Sequence, residues 1–190
     1  TTAGTGMIGP ARHFVAGQGI KGGQDIATFP TGDNPHSSEA WFRAGAANNT
    51  ILGWGIEQGQ GKVVMQLASP PHINMDCYFS GGNVAGGSTL ALSQWYHVAH
   101  TYKSGQARLY VNGVLDGSSS GGSMALPTPA RMYIGGWYDN YNFAGDIDEP
   151  FLVAGHDVRA GQQMFARIDD LGGQGVEPVQ KLRLLFGVEI

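Results

Sequence analysis

QWYHVAHTYKSGQARLYVNG occupies residues 94–113. It spells a β-hairpin. Trp95–Tyr102 is rich in Tyr, Val, Thr and His and poor in strong helix formers, so it reads as a strand. Lys103–Gln106 is the turn, with Gly105 supplying the positive φ that a short hairpin loop needs. Ala107–Val111 is the return arm, with Leu109 and Val111 on one face, and Asn112-Gly113 marks another tight turn.

Composition agrees with a chain built from such units. Its 190 residues suffice for one large domain with a full core. Glycine occurs 31 times and charged residues make up only 14%, which suits many short strands joined by tight turns. A net charge of −4, with 11 Lys and Arg residues scattered singly, argues against a nucleic-acid partner, because phosphate binding needs a cationic surface. Cys77 is alone, so no intrachain disulfide forms. No apolar run reaches membrane-span length, and TTAGTG at the start carries no charged-then-apolar leader. The chain then either starts after a removed signal or is an excised module.

Along the chain, Met7–Val15 and Gly19–Phe29 read as the first strands, and Pro30–His36 as a loop. Ser38–Ala44 is a strand with Trp41 inside. Thr50–Glu57 and Lys62–Ala68 pair across a glycine-rich turn, and Met75–Ser80 resumes after SPPH at 69–72. Gly81–Thr89 and Gly117–Pro129 read as exposed connections. Arg131–Gly136 and Gly145–Val153 are strands flanking the aromatic loop Trp137–Phe143, WYDNYNF. Pro150 predicts an edge position or a bulge. A short helix is expected over Val158–Ile168, capped by Asp157, then a linker over Asp169–Pro178. Leu182, Leu184, Phe186, Val188 and Ile190 alternate as a closing strand. Roughly a dozen strands at turn spacing predict one all-β domain over residues 1–190: an antiparallel two-sheet β-sandwich, with 169–190 as a C-terminal extension.

The order of seven motifs resembles the laminin-G-like, concanavalin A-like jelly rolls of bacterial exported proteins. They are GMIGPARHF (6–14), SEAWFRA (38–44), TILGWG (50–55), QWYHVAHTY (94–102), LYVNGVL (109–115), MYIGG (132–136) and GDIDEPFLV (145–153), covering about residues 6–168. The resemblance implies two antiparallel sheets packed face to face, an extracellular or cell-surface setting, and adhesion or carbohydrate binding. The chain departs from that pattern at Val15-Ala16-Gly17, where relatives often carry an aspartate, at Pro150, and at His100. By similarity to glucanase and lectin sandwiches, Asp148 with main-chain oxygens near Gly17 would hold a structural calcium. Such a cation wants about six to eight oxygens. The alternative has Asp148 accepting hydrogen bonds from neighbouring backbone amides.

Catalytic residues are not expected. Glycan hydrolysis by retention needs two carboxylates about 5 Å apart. Asp146 and Asp148 share a face, but Glu149 points the other way. No phosphate loop or His-Glu-x-x-His occurs. His97 and His100 fall on opposite faces of their strand, which does not suit chelation. For a sugar, an aromatic face flanked by Asn, Asp or Arg is the recognising chemistry. Trp137, Tyr138, Asp139, Asn140 and Tyr141 have that composition, with Trp54, His72 and Tyr78 as candidates on a neighbouring sheet and Trp54 and Trp95 also readable as core. The expected function is a non-catalytic carbohydrate-binding or adhesion module with a polysaccharide partner. Two alternatives are a structural or assembly domain of a filament, appendage or phage particle, which self-associates or meets neighbouring domains, and a glycan hydrolase or lyase.

Overall fold

A computed structural model describes residues 1–22, 29–78, 81–128 and 131–154. Among the described residues thirteen strands run in chain order: β1 (Thr2–Thr5), β2 (Pro10–Phe14), β3 (Ile20–Lys21), β4 (His36–Ala44), β5 (Asn49–Gly55), β6 (Lys62–Leu67), β7 (Ile73–Asp76), β8 (Val84–Ala85), β9 (Trp95–Lys103), β10 (Gln106–Val111), β11 (Val114–Ser120), β12 (Arg131–Ile134) and β13 (Gly145–Ala154). They form a seven-stranded sheet ordered β1-β2-β13-β4-β9-β10-β11 and a six-stranded sheet ordered β3-β12-β5-β6-β7-β8. Every pairing is antiparallel. The two-sheet sandwich is therefore as the sequence predicts. The expected helix over Val158–Ile168 and the closing strand at 182–190 lie outside the described residues.

The hairpin forms on two successive tight turns. Lys103 pairs with Gln106 across Ser104 and Gly105, and Val111 pairs with Val114 across Asn112 and Gly113. All four turn residues have positive φ, between 49° and 79°, as the favoured two-residue hairpin loops require. Pro150 marks a bulge rather than an edge. The register of β13 against β4 slips between Asp148 and Phe151, with Glu149 at φ 44°, while β13 itself lies inside the sheet.

Alternation supplies the core. On β4, Ala40, Phe42 and Ala44 face inward, and on β9–β10 so do Val98, Tyr102, Ala107, Leu109 and Val111. The six-stranded sheet answers with Leu52, Trp54, Val63, Met65, Ile73, Met75, Met132 and Ile134. Trp54 is fully buried, edge-on to Phe29 and His36.

Several expectations need correction. Trp41 and Trp95 are only half-buried and sit on the outer face of the seven-stranded sheet. The reason is parity: Trp41 shares its face with Glu39 and Arg43, whereas Phe42 takes the interior. The strand expected over Met7–Val15 is β2 and starts at Pro10, because residues 6–9 loop out over Asp148. Residues 117–120 belong to edge strand β11, and Val84–Ala85 forms a short strand within a stretch read as loop. The N-terminal β1 carried no hydrophobic signal, and its exposed Thr2, Ala3 and Thr5 explain why.

Candidate functional site

The loop between β12 and β13 crosses the outer face of the six-stranded sheet. Trp137 and Asn140 exchange backbone hydrogen bonds of 3.1 Å, which closes a tight turn over Tyr138 and Asp139 with Tyr138 at φ 53°. Phe143 anchors the loop from below, fully buried and edge-on to Phe14 at 6.0 Å. Asn142 ties it sideways, donating to Asn48 O at 2.7 Å and accepting from Thr50 N at 3.1 Å.

This anchoring sets three rings together. Tyr133 of β12 lies 5.1 Å from Trp137 and stacks on Tyr138 at 5.5 Å, and Trp137 meets Tyr138 edge-on at 5.1 Å. Gly53 makes room for the indole: a Cβ there would lie 2.8 Å from Trp137 Cε3. The Gly53→Ala variant is accordingly expected to shift Trp137 off the sheet. Its emission maximum should move relative to wild type, while the melting temperature changes by only a few degrees.

Lys62 of β6 sits at the edge of the rings. It is buried and ion-paired to Glu57 at 2.9 Å and to Asp76 at 2.8 Å, with its ammonium 4.9 Å from the Tyr78 ring and 5.7 Å from Trp137. Burial pulls its pKa down, but the hydrogen bonds it donates to Asp76 and Glu57 outweigh that and hold it above the ordinary lysine value. Glu57 organises the group further. Its carboxylate accepts from Trp137 Nε1, and its backbone N–H donates to Tyr138 Oη at 2.8 Å. One cation thus faces two carboxylates, both partly open to solvent. Rings with exposed carboxylate acceptors beside them suit a neutral polyhydroxylated ligand better than an anion.

Of the residues expected at the site, Trp137 is half-buried within the stack, while Tyr138, Asp139 and Asn140 are exposed, Tyr138 at 37%. Asp139 pairs with Lys21 at 2.7 Å. Tyr141 turns away, its ring lying over Gly19 and Gly136. Tyr78 joins the group through Lys62, but Trp54 is in the core and His72 lies at the other end of β7, its Nδ1 donating to Pro70 O at 2.7 Å. Sequence reasoning missed Tyr133, Lys62 and Glu57, which come from three separate elements. The one signal for them was Gly53 and Gly55 in a strand otherwise full of large residues, which marks close approach of something overhead.

The proposed calcium ligands are not brought together. Asp148 continues the β13 ladder beyond the Ile147–Arg12 pair, while Gly17 lies past Phe14 at the opposite end of β2. Asp148 is buried, and its Oδ2 accepts from Met7 N at 2.8 Å and Ile8 N at 3.0 Å. Gly17 donates its own N–H to Tyr141 O at 2.7 Å. No group of three or more His, Cys, Asp or Glu side chains suited to a metal occurs among the described residues. This donor set does not fit a calcium ion.

The outer face of the seven-stranded sheet carries a second set of polar and aromatic groups. Asp146 accepts from His13 Nδ1 at 2.8 Å and from Arg43 Nε at 2.9 Å, and the Arg43 guanidinium lies 5.2 Å from the Trp95 ring. Trp41 meets His97 at 5.1 Å, with His97 Nε2 3.3 Å from Glu39. His100, three residues on, points into the core beside His36.

Comparison with known proteins agrees with this architecture. A family model for the concanavalin A-like lectin/glucanases superfamily, of laminin G type, matches residues 18–153. No curated protein aligns significantly with the sequence. Among solved structures, domain 4 of an extracellular arabinanase from Geobacillus stearothermophilus, in complex with arabinotriose, superposes with TM-score 0.59 at 21% identity, covering 80% of this chain and 74% of that one. A heptameric pentraxin from Limulus polyphemus gives TM-score 0.52 at 17% identity over 70% and 68% of the two chains. Domains LG4-5 of the mouse laminin alpha1 chain give 0.56 at 12% identity over 75% and 40%. At these identities the likeness is one of fold. No helix among the described residues is long and apolar enough to cross a membrane.

Proposed function

Since the chain belongs to the concanavalin A-like lectin/glucanase superfamily, we propose that it acts as a non-catalytic carbohydrate-binding module of an exported protein, taking a neutral glycan on the Trp137–Tyr138–Tyr133 rings. The observation that carries this reading is the exposed Tyr138 ring, stacked on Tyr133 and held by Glu57 and Trp137 beside open carboxylates. A sugar ring docks its apolar face on such a surface and its hydroxyls on Glu57, Asp76 or Asn140. The arabinotriose complex of the similar arabinanase domain supports a glycan as the ligand class. The fixed partners of the strand carboxylates support binding over hydrolysis, because Asp146 is held by Arg43 and His13 and Asp148 by backbone amides.

Tyr138→Ala tests the assignment. Affinity electrophoresis through gels containing arabinan, xylan or β-glucan is expected to retard the wild type in at least one of them. The variant should lose that retardation, by roughly tenfold or more in affinity, with its melting temperature little changed. Equal retardation of both proteins would remove the rings from the ligand site.

A structural or assembly role is favoured by one observation. Strand β11, last in the order of the seven-stranded sheet, exposes Val114 at 70% and Leu115 at 53%. Sedimentation of the purified protein separates the readings: a monomer that binds glycan fits the module, and an oligomer without glycan binding fits assembly.

A further inference from the structure

The 11 cations look scattered in sequence, yet the β9–β10 hairpin gathers two of them on the outer face of the seven-stranded sheet. A depression of about 300 Å³ there is lined by Thr101, Lys103, Ser104, Gln106 and Arg108. Its lining holds two cationic heads, two hydroxyls and an amide, and no carboxylate. Arg108 is exposed and forms no ion pair with any described residue. Thr101, 5% exposed, lies directly across the ladder from Arg108, and Ser118 flanks Arg108 on the other side.

The turn beneath is held rigidly. Gly105 N donates to Tyr102 Oη at 3.1 Å, Tyr102 Oη donates to Asp33, and Gly121 N donates to Gly105 O at 2.9 Å. The backbone that carries the donors around the depression is therefore fixed before binding.

We infer that this depression is a binding subsite for the anionic group of an acidic sugar, a sulfate or a uronate carboxylate. The guanidinium forks onto two oxygens of such a group, with Lys103 adding charge and Thr101, Ser104 and Gln106 meeting neighbouring hydroxyls. The volume lies at the lower end of small-ligand sites and suits one ring rather than a long chain segment. Complementarity of charge decides the class: the ring stack on the opposite sheet faces carboxylates, whereas the described residues lining this depression include none and its Arg108 pairs with no described carboxylate. The inference does not rest on the neutral-glycan site.

The test is binding of the full chain to immobilised dextran sulfate, polygalacturonate and unsubstituted dextran at low and high salt, for wild type, Arg108→Gln and Tyr138→Ala. Wild type is expected to bind at least one acidic polymer at low salt and to release it at high salt. Arg108→Gln should weaken that binding roughly tenfold, and Tyr138→Ala should leave it unchanged. Retention by dextran sulfate alone identifies sulfate, and by polygalacturonate alone carboxylate. The inference is overturned if neither acidic polymer is retained or if Arg108→Gln binds as wild type does. It is also overturned if duplex DNA competes as effectively as the sugar polymer, which would make the contact one for polyanions in general.

Discussion

The protein is expected to lose stability steeply in mild acid, on the order of 5 kcal/mol between pH 6.5 and pH 4.5, because two histidines are buried between the sheets. His36 and His100 are both 0% exposed, with ring centroids 5.9 Å apart, and His36 also stacks on Tyr102 and meets Trp54 edge-on. Burial pushes His36 down to about 4, against the opposing pull of its bond to Asn34 O and of nearby Asp33. Burial, reinforced by the neighbouring His36, pushes His100 down to about 3.

An unfolded histidine takes its proton near pH 6.5. Below that value the unfolded chain binds protons that the folded chain refuses, so the stabilisation is complete above pH 6.5. It is lost as pH falls toward 4 and 3. Each ring contributes a slope of about 1.4 kcal/mol per pH unit in that window. Denaturant midpoints from pH 7.5 to 4.5 measure it, and His100→Phe should halve the slope. A slope equal to wild type in that variant would show that the pair does not carry the acid response.

The second large effect is expected at Asp148. Its Oδ2 is the acceptor for two backbone amides of the loop at 6–9, and a Cβ on Gly6 would lie 2.3 Å from that oxygen, so loop and carboxylate are in close contact. Asp148→Ala takes the acceptor from two amides of the half-exposed loop and leaves a gap where the buried carboxylate sat, and should cost about 2 to 3 kcal/mol. Asp148→Asn keeps an acceptor oxygen and should recover part of the loss. Because the carboxylate is already occupied, the wild-type melting temperature should be the same in calcium and in chelator. A rise with calcium would restore a metal role for Asp148.

The fold was legible because it rests on local chemistry that sequence displays. Ser104-Gly105 and Asn112-Gly113 announce their turns, and Pro150 announces a bulge. What failed was parity within strands. In SEAWFRA both Trp41 and Phe42 are large and apolar, and only the flanking Glu39 and Arg43 reveal which one faces out. The loop at 137–143 was legible from composition, but its partners Tyr133, Lys62 and Glu57 are joined to it only by the sheet order. The calcium expectation came from resemblance and depended on bringing Asp148 and Gly17 together. The antiparallel register of β2 with β13 instead puts them at opposite ends of the ladder.

Amide chemical-shift mapping during titration with a retained neutral polysaccharide fragment tests the glycan reading most directly, because the two sheets present separate outer faces. The account predicts shifts clustered at Glu57, Lys62, Tyr133, Trp137 and Tyr138. Shifts confined instead to Trp41, Trp95 and His97 on the opposite sheet would contradict it.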